Sequence, residues 1–122
     1  MKNVINWFEI PAEDFERAVK FYNSILDIEL NLNNINGILM GMWPFEDVYN
    51  AGAVVKDPKH QPGGDGVRIY LNAEGSMDAI LERVEKKGGK IVQAKTFINP
   101  ENGYFSLIQD SEGNVIGLHS GE

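Results

Sequence analysis

Few side chains in this 122-residue chain are equipped for chemistry, and none of them is a cysteine. That excludes a thiolate nucleophile, a Cys-ligated metal and a disulfide framework. Two histidines occur, His60 and His119. His60 sits in a Pro/Gly-rich stretch and reads as an exposed loop residue. His119 lies in a β-like run, where strand alternation puts it on the face of Gly117. Near the other end of the chain Trp7 and Glu9 stand two residues apart, so they also share a face. If the two faces line one cavity, Glu9 and His119 become an acid/base pair, or two ligands of a metal site. Two ligands are too few for a tight metal site on their own. Each residue also has a plainer reading. Trp7 serves as core or cavity lining, Glu9 as a solvated carboxylate at a strand end, and His119 as a hydrogen-bonded or exposed structural residue. No Ser-His-Asp order or phosphate loop is present. The glycines at 63, 64 and 66 have neither the strand before nor the helix after that such a loop requires.

An apolar cavity needs a lining, and the sequence has one to offer. Met40, Met42, Trp43, Phe45 and Tyr49 cluster around Pro44, and Tyr70 and Tyr104-Phe105 add to them. Core packing accounts for most of these, while Met and aromatic side chains also suit an adaptable pocket. The expected cavity set is Trp7, Glu9, Tyr70, Tyr104, Gly117 and His119. With 43% hydrophobic and 24% charged residues, the chain has the composition of an ordinary globular domain. Eighteen acidic against eleven basic side chains give a net charge of −7. Such a surface repels phosphate backbones and anionic lipids, which argues against nucleic-acid and membrane partners. No stretch approaches the ~18 apolar residues of a membrane span, and residues 1–14 lack the apolar run of a secretion signal. The expectation is a cytoplasmic, single-domain protein.

Two helical segments organise the rest. Phe15, Ala18, Val19, Tyr22, Ile25 and Leu26 form one apolar stripe, preceded by acidic residues that favour a helix N-terminus. Met77, Ile80, Leu81 and Val84 form a second, with Ser76 as N-cap and Gly88-Gly89 as the stop. A strand precedes each helix, at Val4–Ile10 and Val67–Leu71. Three strands follow each: Ile28–Leu32, Gly37–Trp43 and Gly52–Lys56, then Lys90–Phe97, Tyr104–Gln109 and Asn114–His119. The order βαβββ therefore occurs twice, over residues 1–57 and 67–122, with a Pro/Gly-rich linker at 58–66. A shift of 61 residues places Ala12-Glu13 on Ala73-Glu74, and Gly52–Val55 on Gly113–Ile116. Asp110–Gly113 reads as the turn between the last two strands. One such unit leaves a sheet face uncovered, so a second unit, in the chain or in a dimer, is needed.

Phe8–Asp14 with Arg17-Ala18 and Phe21-Tyr22, Gly88–Val92, and Asp110–Ser120 together resemble the vicinal oxygen chelate superfamily, the glyoxalase/bleomycin resistance/dioxygenase group. The resemblance covers nearly the whole chain. It implies an α+β fold of two βαβββ modules, each curled into a half-barrel around a ligand cavity, and a homodimer. It also implies a divalent metal held by His and Glu. Counting along the pattern puts those ligands at Trp7, at Gly117, near Arg68 or Ile69, and among Ala51, Ala53 and Val55. None of these is a His or a carboxylate, so no metal is expected. Instead the Trp7 ring fills the metal's place and offers a flat face to a planar or cationic ligand. The function expected is metal-free binding of a small, partly hydrophobic molecule. The alternatives are a lyase, isomerase or dioxygenase with unusual ligands, and a non-catalytic interaction subunit.

Overall fold

A computed structural model describes residues 4–44 and 51–122; Phe45 and Tyr49 lie outside the described residues. The first module runs β1 (Trp7–Pro11), α1 (Phe15–Leu26), β2 (Asn31–Ile35), β3 (Ile38–Met42) and β4 (Ala51–Lys56). The second runs β5 (Tyr70–Asn72), α2 (Met77–Val84), β6 (Lys90–Asn99), β7 (Gly103–Gln109) and β8 (Val115–Ser120). Each module forms a four-stranded sheet, ordered β1-β4-β3-β2 and β5-β8-β7-β6, with the first strand parallel to the last. The expected pair of βαβββ modules is the architecture observed.

Local chemistry fixes the boundaries. Asp14 caps α1 by accepting the Arg17 backbone N–H at 3.1 Å, and Asp27 ends the helix in the left-handed region. The helix buries Ala18, Val19, Phe21, Tyr22 and Ile25. Leu30 is buried and its N–H donates to the Asn23 side chain, so β2 starts at Asn31 and not at Ile28. Asn36 and Gly37, both at positive φ, form the two-residue turn joining β2 to β3. Ser76 occupies the N-cap position of α2 but makes no side-chain capping bond; its hydroxyl donates to the Ala73 carbonyl instead. A short 3-10 turn, Glu85–Lys87, extends α2 to Gly88, which takes the left-handed conformation.

Strand alternation divides each sheet into two faces. Phe8 and Ile10, with Val54 opposite, pack into a core shared by both modules and both helices. Trp43 joins it, with its ring 5.3 Å from Phe8 and 5.5 Å from Tyr22. Trp7 and Glu9, paired with Ala51 and Ala53, take the other face. The repeat offset is not uniform. Ala12 N–H donates to the Val55 carbonyl and Ala73 N–H to the His119 carbonyl. The first strands therefore superpose at 61 residues, as expected, but the last strands superpose at 64 (55 to 119). Gly52–Val55 matches Ile116–His119 and not Gly113–Ile116, because the second module holds three extra residues, with a longer β6 and the turn at 100–102.

The modules are clasped at the α1 N-terminus. Glu112, in the β7–β8 turn, accepts from the backbone N–H groups of Glu13 and Asp14 and twice from the Arg17 guanidinium, at 2.7–3.0 Å. Burial alone would raise the Glu112 pKa. The Arg17 and Asp14 donors and the Ser111 hydroxyl outweigh it and hold the carboxyl at about 2. Beneath this clasp the Tyr22 hydroxyl donates to Asp110 at 2.7 Å, and the Asn114 amide donates both to Asp110 and to the Pro11 carbonyl. Burial, together with the Asp110 charge, pushes the Tyr22 pKa well above its ordinary value.

Candidate functional site

β1 projects Trp7 and Glu9 into a cavity of about 500 Å³. The strand forms one wall, the linker from His60 and its continuation to Ile69 before β5 form the opposite wall, and Asn114–Ile116 at the start of β8 close the end. The indole N–H of Trp7 donates to the Glu9 carboxylate at 3.2 Å. Asn114 holds the walls together. Its side chain donates to the Pro11 carbonyl at the end of β1 and accepts the Gly63 N–H from the linker. Apolar surface comes from Ile5, Val67, Ile69 and Val115, and polar groups from Glu9, His60, Asp65 and Arg68. The lining is about equally polar and apolar, so the hollow combines apolar contact surface with convergent polar groups, the two elements a small-molecule site uses for affinity and orientation.

The residues expected to share this cavity divide into two groups. Trp7 and Glu9 stand together as described. Tyr70 and Gly117 stand together elsewhere, paired across β5 and β8, with the tyrosine ring lying over the glycine. A Cβ at position 117 would run into that ring. His119 follows Gly117 on the same face of β8, and its Nε2–H donates to the Asn102 carbonyl at 2.6 Å. Neither Gly117 nor His119 lines the Trp7 cavity, so the Glu9/His119 acid/base pair is not assembled there. Tyr104 leaves the set altogether. It pairs with Ser120, one residue out of phase with His119, and its ring packs 5.3 Å from Phe97 with the Lys95 ammonium 4.8 Å above it. His60 is exposed, as expected of the linker, yet it lines the Trp7 cavity.

The positions that would hold a divalent metal carry no suitable donors. They are the Trp7 indole, the buried Ala51, Ala53 and Val55, the Arg68–Ile69 stretch, and Gly117 beneath the Tyr70 ring. Among the described residues no three of His, Asp and Glu converge. Indole, methyl and guanidinium groups do not ligate a hard or borderline cation, so this donor set does not fit one.

The sequence profile of the Glyoxalase/Bleomycin resistance protein/Dioxygenase superfamily matches residues 4–118. The chain belongs to that superfamily. It is 31% identical over 116 residues to a glyoxylase-like domain-containing protein of Didymella fabae, covering 91% of this chain and 88% of that protein. The fold agrees. A glyoxalase/bleomycin resistance protein from Albidiferax ferrireducens superposes with a TM-score of 0.76 at 17% identity, over 97% of this chain and 98% of that one. A genomically encoded fosfomycin resistance protein from Listeria monocytogenes superposes with a TM-score of 0.70 at 11% identity, over 98% and 91%. At these identities the likeness concerns architecture alone. Within the superfamily fold, this chain presents an indole–carboxylate pair at a position where the resemblance implies a metal ligand.

Three residues have roles that the sequence does not announce. Arg68 stands out there only as a metal position, Asn114 only as a strand residue, and Glu112 only as part of a turn. Asn114 carries a signal, since an Asp-x-x-Gly-Asn turn supplies side-chain acceptors and donors at its base. Glu112 carries none, because its partners are nearly a hundred residues away.

Proposed function

We propose that this superfamily member binds a small, partly hydrophobic molecule in the Trp7 cavity and does so without a divalent metal. The observation that supports the reading most is the cavity of about 500 Å³ itself, walled by β1 and the linker and holding the Trp7–Glu9 pair. The donor chemistry at the four expected metal positions supports the second half. The protein acts as a homodimer in the cytoplasm on this reading. Apolar side chains left exposed on β2, β3 and β6, among them Leu32, Leu39, Val92 and Phe97, favour self-association. No helix is long and apolar enough to cross a membrane among the described residues.

Native mass spectrometry of untagged protein, with metal analysis of the same sample, tests the proposal. A co-purifying organic compound and substoichiometric Ni²⁺, Zn²⁺, Mn²⁺ and Fe²⁺ are expected. Stoichiometric metal, or thiol-dependent isomerisation of methylglyoxal abolished by a chelator, would refute metal independence. Sedimentation as a monomer at micromolar concentration would refute the dimer.

A further inference from the structure

We propose that the Trp7 cavity selects organic cations, an ammonium or quaternary nitrogen carried on an apolar body. This deepens the reading of that cavity as a ligand site and rests on it. The indole N–H is engaged by the Glu9 carboxylate at 3.2 Å, which fixes the ring edge and leaves the ring face for a ligand. A carboxylate on the N–H also pushes electron density into the indole, making its face more negative. Cations bind over tryptophan faces within about 6 Å of the ring centre, and tryptophan is the best of the aromatic residues for this. The same carboxylate lies beside the ring to pair with the bound charge.

The local balance of charge points the same way. Glu9 has no basic partner among the described residues; the ion pairs there are Arg17–Glu112 and Lys95–Asp78. On the linker wall Asp65 and Arg68 carry opposite charges and offset one another. Glu9 then sets the sign of the cavity. An uncharged guest would displace water from that carboxylate without bringing a compensating positive charge, which is unfavourable. An anion would have to approach two carboxylates to reach one guanidinium. Ile5, Val67, Ile69 and Val115 supply contacts for the apolar body. A chain of net charge −7 also raises the local concentration of cations.

The test uses three probes with one ring and three charges: benzyltrimethylammonium, uncharged N-benzylacetamide and the anion benzylsulfonate. Each is titrated into the intact protein while the Trp7 indole N–H resonance, assigned by its loss in Trp7→Phe, is followed by NMR. The cation should bind at least tenfold more tightly than either other probe. Glu9→Gln, a change at an exposed side chain, should erase that preference, and 0.5 M salt should weaken the cation alone. If N-benzylacetamide shifts the Trp7 resonance as strongly as the cation does, the cavity binds ligands and the charge selectivity is wrong. Retention of the preference in Glu9→Gln would overturn the selectivity equally. If none of the three moves the Trp7 resonance, the reading of the cavity as a ligand site falls, and the selectivity falls with it.

Discussion

Replacing Glu112 with glutamine should loosen the clasp between the modules, and the loss should depend on pH in a defined direction. Glu112 faces the first backbone N–H groups of α1, where a negative charge meets the positive end of the helix, and it takes two parallel bonds from Arg17. A carboxyl held at about 2 instead of its ordinary 4.5 corresponds to roughly 3 kcal/mol in favour of the charged form. The Glu112 side chain is fully enclosed, but that of Arg17 is 52% exposed, so solvent screens part of this attraction. About 1–2 kcal/mol of net stabilisation remains after that discount. Glutamine keeps an oxygen that accepts from Asp14 and loses the charge. At pH 7 the urea midpoint should therefore fall by about 0.5–1 M, given a slope of about 1.5–2 kcal/mol per molar. Because the folded-state pKa is depressed, the stabilisation is complete above the unfolded value near 4.5 and disappears as pH falls toward 2. Unfolding curves of both proteins, followed from pH 7 down to about 2.5, should then converge at the acid end. A gap that stays constant across this range, or no gap at pH 7, would refute the argument.

Other outcomes follow from the same geometry. Tyr22→Phe removes a buried donor from Asp110 and should cost about 1–3 kcal/mol by urea unfolding, with an unchanged far-UV spectrum; a cost below about 0.5 kcal/mol would mean water takes the hydroxyl's place. Gly89→Ala should be strongly destabilising, by about 2–3 kcal/mol, since its Cβ would stand 2.5 Å from the Gln109 backbone carbonyl and 2.8 Å from the Phe21 ring. Gly117→Ala should cost less, because the obstacle is the Tyr70 ring, a side chain 49% exposed and free to turn aside. Thermal melts that rank the two glycine variants the other way would contradict this contrast.

The architecture is legible in the sequence because it rests on short-range patterns. Apolar spacing of 3.6 locates both helices, and the acidic entry to α1 marks its start; Gly88, expected to stop the second helix, ends the 3-10 turn that follows α2 and not α2 itself. Strand edges are less legible, each for a local reason. Apolar runs put β2 at Ile28–Leu32 and begin β3 at Gly37, but the Asn36-Gly37 dipeptide, a strong short hairpin signal, is the turn itself, and β2 and β3 flank it as Asn31–Ile35 and Ile38–Met42. Alternation in β1 gives the shared face of Trp7 and Glu9, since period two is strict within a strand. Tyr104 is misplaced by one position, and in a strand one position reverses the face. The wider cavity set cannot be read at all. Whether β1 and the end of β8 face a common hollow depends on how two sheets pack, and no local pattern encodes that.

The position of the cavity follows from an inequality between the modules. By the 61-residue correspondence, Trp7–Glu9 on β1 matches Arg68–Tyr70 at the entry to β5. β1 is paired from Trp7 onward, whereas β5 pairs only from Tyr70, leaving Val67–Ile69 outside the ladder. Gly66 sits at φ +107°, and Val67 beyond it is 96% exposed. From Gly64 to Ile69 the only backbone bond among the described residues runs from Gly117 N–H to the Ile69 carbonyl. The wall opposite Trp7 is therefore a segment with few internal constraints, and such segments open at low free-energy cost. The wall carrying Trp7 and Glu9 is hydrogen-bonded into a sheet and tied through Asn114. Recognition that needs fixed geometry must then reside on β1, and the linker can adjust to the size of the guest. A change of linker length should alter which bodies fit, whereas a change at Trp7 or Glu9 should alter which charge does.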